Sequence, residues 1–255
     1  MEPRKEQILS LVWQDGHVSV KKLAEQLNVS DATIRRDLHG LASEGLIVSV
    51  HGGATVVRNS DYSFLSKSRR NVAAKRTIAK MACELISDGD QLFLDSGTTC
   101  FEMTAFLRSK RSLHIIVNSV RTAQELNSPS LNILMLGGQY RPDRMDAVGP
   151  MAAEVLERLR GYRAFIGADG LVMDFGPTTV DIDSANIFAL AVKNSKECIL
   201  LTDSSKFDQP SLYKVTDFKN VSTVITEKRP SPQWEDFFNS QNVKVLYPKE
   251  TLEIL

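Results

Sequence analysis

The stretch Ser30–Gly45, SDATIRRDLHGLASEG, decides how the front of the chain folds. Its apolar residues Ile34, Leu38 and Leu41 recur at the spacing of one helical face. Ser30 is a residue type that caps a helix by accepting bonds from the free N–H groups of the first turn. The pattern therefore predicts a helix that runs from the first residue of the stretch to its last.

The segments around this helix predict a small domain. Hydrophobic spacing indicates two helices before it, the second capped by Ser19, with a tight turn at 28–30. Two β-rich runs, 46–50 and 54–57, follow it and are joined by His-Gly-Gly at 51–53. Because glycine adopts the positive φ of tight turns, these runs predict a hairpin that forms a wing beside the helices.

A helix with one apolar face and one basic face is typical of DNA recognition. In a major groove, Arg forms paired hydrogen bonds with guanine, and the methyl groups of Thr or Ala contact thymine. The preceding helix can cross the phosphate backbone, and the wing can approach the minor groove. The alternative is a small helical domain whose basic helix is merely solvated. The predicted DNA-binding residues are Lys21, Ser30, Ala32, Thr33, Arg35, Arg36, His39 and His51.

Charge is distributed unevenly along the 255 residues, although the net charge is zero. Residues 59–80 carry six basic residues against one acid. This asymmetry favours an anionic partner for the front of the chain, with a solvated linker helix as the alternative. We expect Glu25 and Asp37 to orient Arg35 and Arg36.

Strand and helix patterns alternate over the rest of the chain. Apolar runs bounded by turn residues, with helical patterns between most of them, predict a parallel sheet covered on both faces. We predict the α/β class: an N-terminal winged helix-turn-helix domain (1–58), a linker (59–74) and a larger C-terminal α/β domain with a mostly parallel sheet (75–255). The predicted strands are 91–95, 113–118, 132–136, 164–169, 198–203, 222–226 and 243–247.

Polar residues and glycines follow five of these strands. Ligands of open α/β sheets bind beyond the carboxyl ends of strands, and the amides of a Ser-Gly-Thr-Thr loop that opens a helix favour an anion. This loop is neither a Walker A loop nor a dinucleotide fingerprint, and a plain tight turn is the alternative. The loop around Thr179 and Asp181 can close the site, and Lys206 can offer a phosphate a positive charge. The predicted ligand-binding residues are Asp95, Ser96, Gly97, Thr98, Thr99, Asn118, Ser119, Gly137, Gly138, Asp169, Gly170, Thr179, Asp181 and Lys206.

These motifs carry a resemblance to one family. Thr-Ile-Arg-Arg-Asp-Leu at 33–38, together with His-Gly-Gly-Ala at 51–54, resembles the winged helix-turn-helix of the DeoR family of bacterial sugar-catabolism repressors. Asp-Ser-Gly-Thr-Thr at 95–99 and the strand ends after it resemble the sensor domain of that family, which is similar in fold to ribose-5-phosphate isomerase and the CoA transferases. The resemblance implies a homo-oligomeric repressor, a dimer or a tetramer, that binds double-stranded operator DNA and responds to a phosphorylated sugar or a related metabolite.

One stretch departs from the family pattern. Family members commonly carry a Glu-Ala pair followed by a basic pair, whereas here Ser184 takes the place of the acid and Phe188 and Ala189 take the basic positions. Proton-transfer isomerisation needs a base and a cation at one substrate. The departure favours a regulator over the alternative, an isomerase-like enzyme with an appended DNA-binding module. A constitutive DNA binder whose second domain only oligomerises is a third interpretation.

Other patterns argue against further functions. Three cysteines and four histidines form no cluster at metal-ligand spacing, which predicts neither a disulfide framework nor a metal site, and no motif indicates a cofactor. The longest apolar runs are far shorter than the roughly 20 residues that span a bilayer. The first residues lack the apolar segment of a secretory signal. We therefore expect a cytoplasmic protein without a membrane partner.

Overall fold

The chain divides into two units, Met1–Arg70 and Asn71–Leu255. The computed structural model describes residues 3–44, 46–55 and 64–248. The domain boundaries expected from the sequence remain a prediction, because residues 59–63 of the expected linker lie outside the described residues.

Helices and short strands alternate in the first unit. They are α1 (Pro3–Asp15), β1 (His17–Ser19), α2 (Val20–Leu27), α3 (Asp31–Ser43), β2 (Val48–Val50), β3 (Gly53–Thr55) and α4 (Phe64–Ser68). The strands form an antiparallel sheet in the order β1-β3-β2. The hairpin is confirmed, while β1 is an additional strand that the sequence pattern did not predict. The predicted helix end at Gly45 and the predicted strand residues 56 and 57 lie outside the described residues.

Local capping sets the bounds of the helix-turn-helix. The Oγ of Ser19 accepts a hydrogen bond from the backbone N of Lys22 at 3.2 Å, and the Oγ of Ser30 accepts one from the backbone N of Thr33 at 3.3 Å. Between them Asn28, at a φ of 52°, ends α2 in the left-handed region that Asn tolerates. The apolar faces of the three helices share one core, which includes Ile8, Val12, Leu23, Ile34, Leu38 and Leu41.

The second unit is a layered α/β structure. In chain order it comprises α5 (Val72–Glu84), β4 (Gln91–Leu94), α6 (Thr98–Glu102), α7 (Thr104–Leu107), β5 (Leu113–Val117), α8 (Val120–Glu125), β6 (Leu131–Met135), β7 (Gln139–Arg141), β8 (Asp146–Val148), α9 (Pro150–Glu157), β9 (Arg163–Gly167), β10 (Gly170–Val172), β11 (Gly176–Thr179), α10 (Ile182–Asn194), β12 (Glu197–Leu201), β13 (Tyr213–Lys214), β14 (Thr223–Ile225), α11 (Pro232–Ser240) and β15 (Lys244–Leu246).

A seven-stranded sheet forms the centre of this unit, in the order β15-β14-β12-β9-β4-β5-β6. Every pairing in it is parallel. Its seven strands coincide with the seven runs predicted from the sequence, to within one residue at most bounds. The predicted fold class is therefore confirmed.

Alternating side chains cover both faces of the sheet. In β4, Leu92 and Leu94 belong to one core, whereas Phe93 belongs to the other. The same alternation places Phe165 of β9 with the leucines and Ile166 with Phe93. Since successive side chains of a strand point to opposite faces, both faces of this sheet are buried and only its strand ends are open to a ligand.

Two small antiparallel sheets were not predicted. β7 pairs with β8, and β10, β11 and β13 form the other sheet. Residues 176–179, expected in a loop, form strand β11 instead. The Gly-Pro-Thr-Thr sequence of β11 lacks an apolar alternation, and its pairing depends on long-range contacts such as that of Val215 N with Pro177 O at 2.8 Å.

No helix in the described ranges combines the length and the apolar character needed to cross a membrane.

Candidate nucleic-acid interface and ligand site

Helix α3 presents a polar face. Ile34, Leu38 and Leu41 are buried beneath it. Ala32, Arg35, Arg36 and His39 are exposed, and Thr33 is half-buried. The helix therefore divides into an apolar face and a basic, accessible face, as its sequence predicts.

The two guanidinium groups of this face are not held by acids. Within the described residues, neither Arg35 nor Arg36 forms an ion pair or a side-chain hydrogen bond. The expectation that Asp37 orients them is wrong: Asp37 is buried, and its Oδ2 accepts from Nε of Arg4 at 2.7 Å. Glu25 is exposed and forms no ion pair within the described ranges. Asp37 thus fastens α1 to α3 and leaves both arginines available.

The other predicted DNA-binding residues are also accessible. Lys21 is exposed at the start of α2, and His51 is exposed in the turn of the wing. Ser30 is exposed, and its Oγ lies 2.9 Å from Oγ1 of Thr33. At Gly53 an added Cβ would lie 2.4 Å from the carbonyl oxygen of Val18, so glycine permits the close pairing of β3 with β1. That pairing holds the wing against the helices.

In the second unit, most of the predicted ligand-binding residues follow the carboxyl ends of the parallel strands, whereas Thr179 lies in the antiparallel strand β11 and Asp181 begins α10. Asp95 follows β4 and is buried. Its Oδ1 accepts from Gly97 N at 2.8 Å, and its Oδ2 accepts from Gly167 N at 2.5 Å. Burial raises the pKa of the Asp95 carboxyl, against the lowering effect of its hydrogen bonds. Asp95 therefore shapes the loop that opens α6 and joins it to the end of β9.

The Ser-Gly-Thr-Thr loop leads directly into α6. Among the described residues no side chain caps this helix, and its first-turn N–H groups have no partner within the helix. Thr98 is buried, Thr99 and Gly97 are half-buried, and Oγ of Ser96 donates to Oδ2 of Asp146 at 3.2 Å. The loop thus presents amides and hydroxyls at the sheet edge.

The ends of β5 and β6 are packed. Asn118 is fully buried, and its Nδ2 donates to Ala147 O at 3.3 Å. Ser119 is buried and caps α8 by accepting from Thr122 N at 3.2 Å. Gly137 is exposed. At Gly138 an added Cβ would lie 2.5 Å from the carbonyl oxygen of Val148, which explains the glycine by backbone packing alone.

Another set of predicted ligand-binding residues lies near the end of β9. Oδ2 of Asp169 accepts from Oγ1 of Thr179 at 2.9 Å and from Val180 N at 3.1 Å. At Gly170 an added Cβ would lie 1.8 Å from the carbonyl oxygen of Gln209, so this glycine too is required by close backbone packing. Lys206 is half-buried in the single-turn helix Ser204–Lys206.

Asp181 belongs to an ion network that the sequence pattern did not reveal. It caps α10 by accepting from Ser184 N at 2.8 Å, and its Oδ1 also accepts from Nη1 of Arg141 at 2.7 Å. Arg141 forms two further bonds with the buried Asp146, each at 2.8 Å. Burial alone would raise the pKa of Asp181, but hydrogen bonds from Arg141 and Ser184 outweigh it and lower the pKa to about 2.

These contacts bring only some of the predicted residues together. Ser96 and Asp181 are joined through Asp146 and Arg141, and Asp95 is joined to Gly97. Within the part of the chain that the structure describes, neither Lys206 nor Asn118 forms a side-chain hydrogen bond with that network. Arg141 and Asp146 were not predicted as site residues. They lie in a short polar segment with no periodic pattern, so the sequence offers little indication of their pairing. Among the described residues, no group of three His, Cys, Asp or Glu side chains is arranged to hold a metal ion.

The first unit, with its capped helix-turn-helix and antiparallel wing, defines a winged helix-turn-helix protein, here followed by an α/β unit. Residues 4–60 match the DeoR-like helix-turn-helix domain, and residues 70–228 match the DeoR C-terminal sensor domain. The chain therefore belongs to the DeoR family, which its sequence motifs were found to resemble.

Named relatives agree with this assignment. The lactose phosphotransferase system repressor of Lactococcus lactis subsp. lactis is 34% identical over 92% of this chain and 94% of its own. The HTH-type transcriptional regulator GlpR of Haloferax volcanii is 33% identical over 88% of this chain and 89% of its own. The first is named as a repressor and the second as a transcriptional regulator.

A solved structure also resembles the chain. Ribose 5-phosphate isomerase A of Methanocaldococcus jannaschii has a TM-score of 0.40 and 18% identity over 54% of this chain and 55% of its own. A likeness of this size has no bearing on activity.

Proposed function

We propose that the protein is a repressor that binds operator DNA through α3. The observation that carries this proposal is the accessible basic face of α3, where Arg35 and Arg36 form no ion pair within the described ranges while the opposite face is buried. Such a helix can enter a major groove and form paired hydrogen bonds with guanine. Lys21 and the amides beside Ser30 would then contact phosphates, and the wing at His51 would lie beside them.

We propose further that the regulated genes are those of carbohydrate catabolism and that the effector is a phosphorylated sugar or a related metabolite. The names of the relatives, a lactose phosphotransferase repressor among them, support the first part. The uncapped amides of α6 beside the Ser96 hydroxyl support the second, because they offer an oxyanion several donors at the edge of a parallel sheet. Effector binding would favour one of two conformations of an oligomer and so change its affinity for DNA.

Catalysis is not part of this proposal. Isomerisation needs a carboxylate that is free to move a proton between carbon atoms. Both oxygens of Asp95 already accept backbone amides, and Asp181 is held by Arg141. Phe188 is buried in the core, so the position that is basic in the family pattern contributes apolar packing here.

A two-part experiment tests the proposal. Mobility shift and footprinting with genomic fragments should reveal a protected duplex site, and its absence on every fragment would refute the DNA-binding role. A thermal-shift panel of hexose and pentose phosphates, each beside its unphosphorylated sugar, tests the effector. A ligand at 100 times its dissociation constant adds about 2.7 kcal/mol to stability, so stabilisation by a phosphorylated sugar alone is the expected result. Turnover of a pentose phosphate would instead support the enzyme alternative.

A further inference from the structure

The proposed effector carries negative charge, yet positions 188 and 189 of α10, which are basic in the family pattern, offer it no cation. Phe188 lies in the apolar core, and Ala189 has no charge to offer. The acids of the site, Asp95, Asp146 and Asp181, would repel an oxyanion unless a positive group faced it. The inference that follows rests on the proposed effector class.

Arg141 is too heavily bonded to be that group. Four hydrogen bonds engage its guanidinium: two with Asp146, one with Asp181 and one with Oγ of Ser184 at 3.2 Å. Only 15% of its side chain is exposed. A guanidinium has five N–H donors, so little capacity remains for a ligand. Arg141 therefore holds the β7–β8 hairpin against the start of α10 as a positioning residue.

Arg144, in the turn of the same hairpin, has donors to spare. Its Nη1 lies 3.7 Å from Oδ1 of Asp181, beyond hydrogen-bond distance, and 20% of its side chain is exposed. It forms no other ion pair or hydrogen bond through its side chain within residues 3–44, 46–55 and 64–248. The turn itself is fixed, because Met145 N donates to Arg141 O at 2.8 Å and Val120 N donates to Met145 O at 2.8 Å. The backbone of this turn is therefore held in place, while the guanidinium of Arg144 keeps N–H donors that are not used in hydrogen bonds.

A continuous polar chain links Arg144 to the Ser-Gly-Thr-Thr loop. Arg144 faces Asp181, Asp181 accepts from Arg141, Arg141 pairs with Asp146, and Asp146 accepts from Ser96. The guanidinium of Arg144 and the Ser-Gly-Thr-Thr loop therefore lie at the two ends of one network. We propose that Arg144 binds the oxyanion group of the effector, a phosphate or a carboxylate on a sugar, and replaces the cations that positions 188 and 189 of α10 lack.

The test compares full-length wild type with Arg144→Gln, Arg144→Lys and the control Arg158→Gln. Arg158 lies directly after α9, is 76% exposed and, within the described ranges, forms one exposed pair, with Glu154. The probes are hexose 6-phosphates, the matching sugar acids and the neutral sugars, and the readouts are thermal shift and release of bound operator DNA. A charged hydrogen bond contributes about 1.5–3 kcal/mol, so Arg144→Gln should raise the half-effective concentration roughly tenfold to a hundredfold.

Arg144→Lys should retain part of the response, because it keeps the charge but loses the fork of the guanidinium. Arg158→Gln should respond as wild type does. Response to the sugar phosphates or to the sugar acids identifies the oxyanion. A wild-type response that Arg144→Gln leaves unchanged would overturn this inference and leave the proposed function standing. No wild-type response to any charged probe would overturn both this inference and the proposed effector class, and leave the proposed DNA-binding role standing.

Discussion

At the scale of single residues, two acidic side chains have roles that their neighbours in sequence do not suggest. Asp37 sits between exposed Arg36 and buried Leu38, yet it pairs with Arg4, 33 positions away. Asp181 caps α10 and also binds Arg141, 40 positions away. In both cases the acid pairs with an arginine and so joins two elements, and other side chains are left to bind ligands.

Replacement of Arg35 by alanine should weaken specific DNA binding. Each lost base contact costs about 1–3 kcal/mol, whereas loss of a phosphate contact weakens all sequences alike. The measurement is the dissociation constant for operator and for scrambled duplex. The comparison is Lys21→Ala, which we propose loses only a phosphate contact. It should reduce the slope of the log binding constant against the log salt concentration by about one. An unchanged operator constant for Arg35→Ala would show that α3 does not read bases.

Replacement of Asp181 by asparagine should cost stability at neutral pH but not in acid. The folded pKa of about 2 lies below the usual 3.8, so the ionised group stabilises the fold above about pH 4 and loses this effect as pH falls through 2. The shift corresponds to roughly 2 kcal/mol. Asparagine can still cap the helix, which isolates the charge.

Urea unfolding of wild type and Asp181→Asn across this pH range measures the effect. Asp183→Asn is the control, because Asp183 is 49% exposed and lies 3.8 Å from Arg141. A gap between Asp181→Asn and wild type that persists below pH 2 would contradict the electrostatic explanation.

At the scale of elements, α3 depends on its first turn. Ser30 accepts the amide of Thr33 and thereby begins the helix at Asp31, which sets where Ala32 and Arg35 are presented. The hairpin β7–β8 plays a comparable part in the second unit, since it carries both Arg141 and the turn with Arg144. Short elements thus position the groups that we expect to meet ligands.

Ser30→Ala should destabilise the first unit by about 1 kcal/mol, the usual cost of losing an N-cap. Ser43→Ala at the other end of α3 is the matched control, because Oγ of Ser43 only donates to Gly40 O at 2.8 Å on an exposed surface. Denaturant unfolding compares the two variants. Equal midpoints would show that the Ser30 cap contributes nothing.

At the scale of the whole molecule, one chain joins a DNA-binding unit to a parallel sheet whose strands end in polar loops. Helix-turn-helix proteins that bind as dimers contact half-sites separated by whole helical turns. An oligomer of this chain would therefore be sensitive to the spacing of its half-sites. That sensitivity gives the effector its proposed route to control, since a changed spacing of the two reading helices changes affinity.

Insertion of about five base pairs between operator half-sites should sharply weaken binding, and insertion of about ten should restore most of it, because ten to ten and a half base pairs make one turn. Mobility shift with the three operators measures the effect. If all three bound equally well, each copy would act alone.

The helix-turn-helix, the wing and all seven strands of the parallel sheet could be predicted from local sequence patterns. Apolar periodicity, serine caps and turn glycines act over a few residues, so each leaves a local pattern. Three features could be known only from the folded chain: the pairing of Asp37 with Arg4, the strand at residues 176–179, and the bonds by which Arg141 joins Asp146 to Asp181. These contacts join distant segments, and Coulomb attraction between buried groups leaves no period in a sequence. The polar network at the sheet edge therefore emerged only when the strands came together.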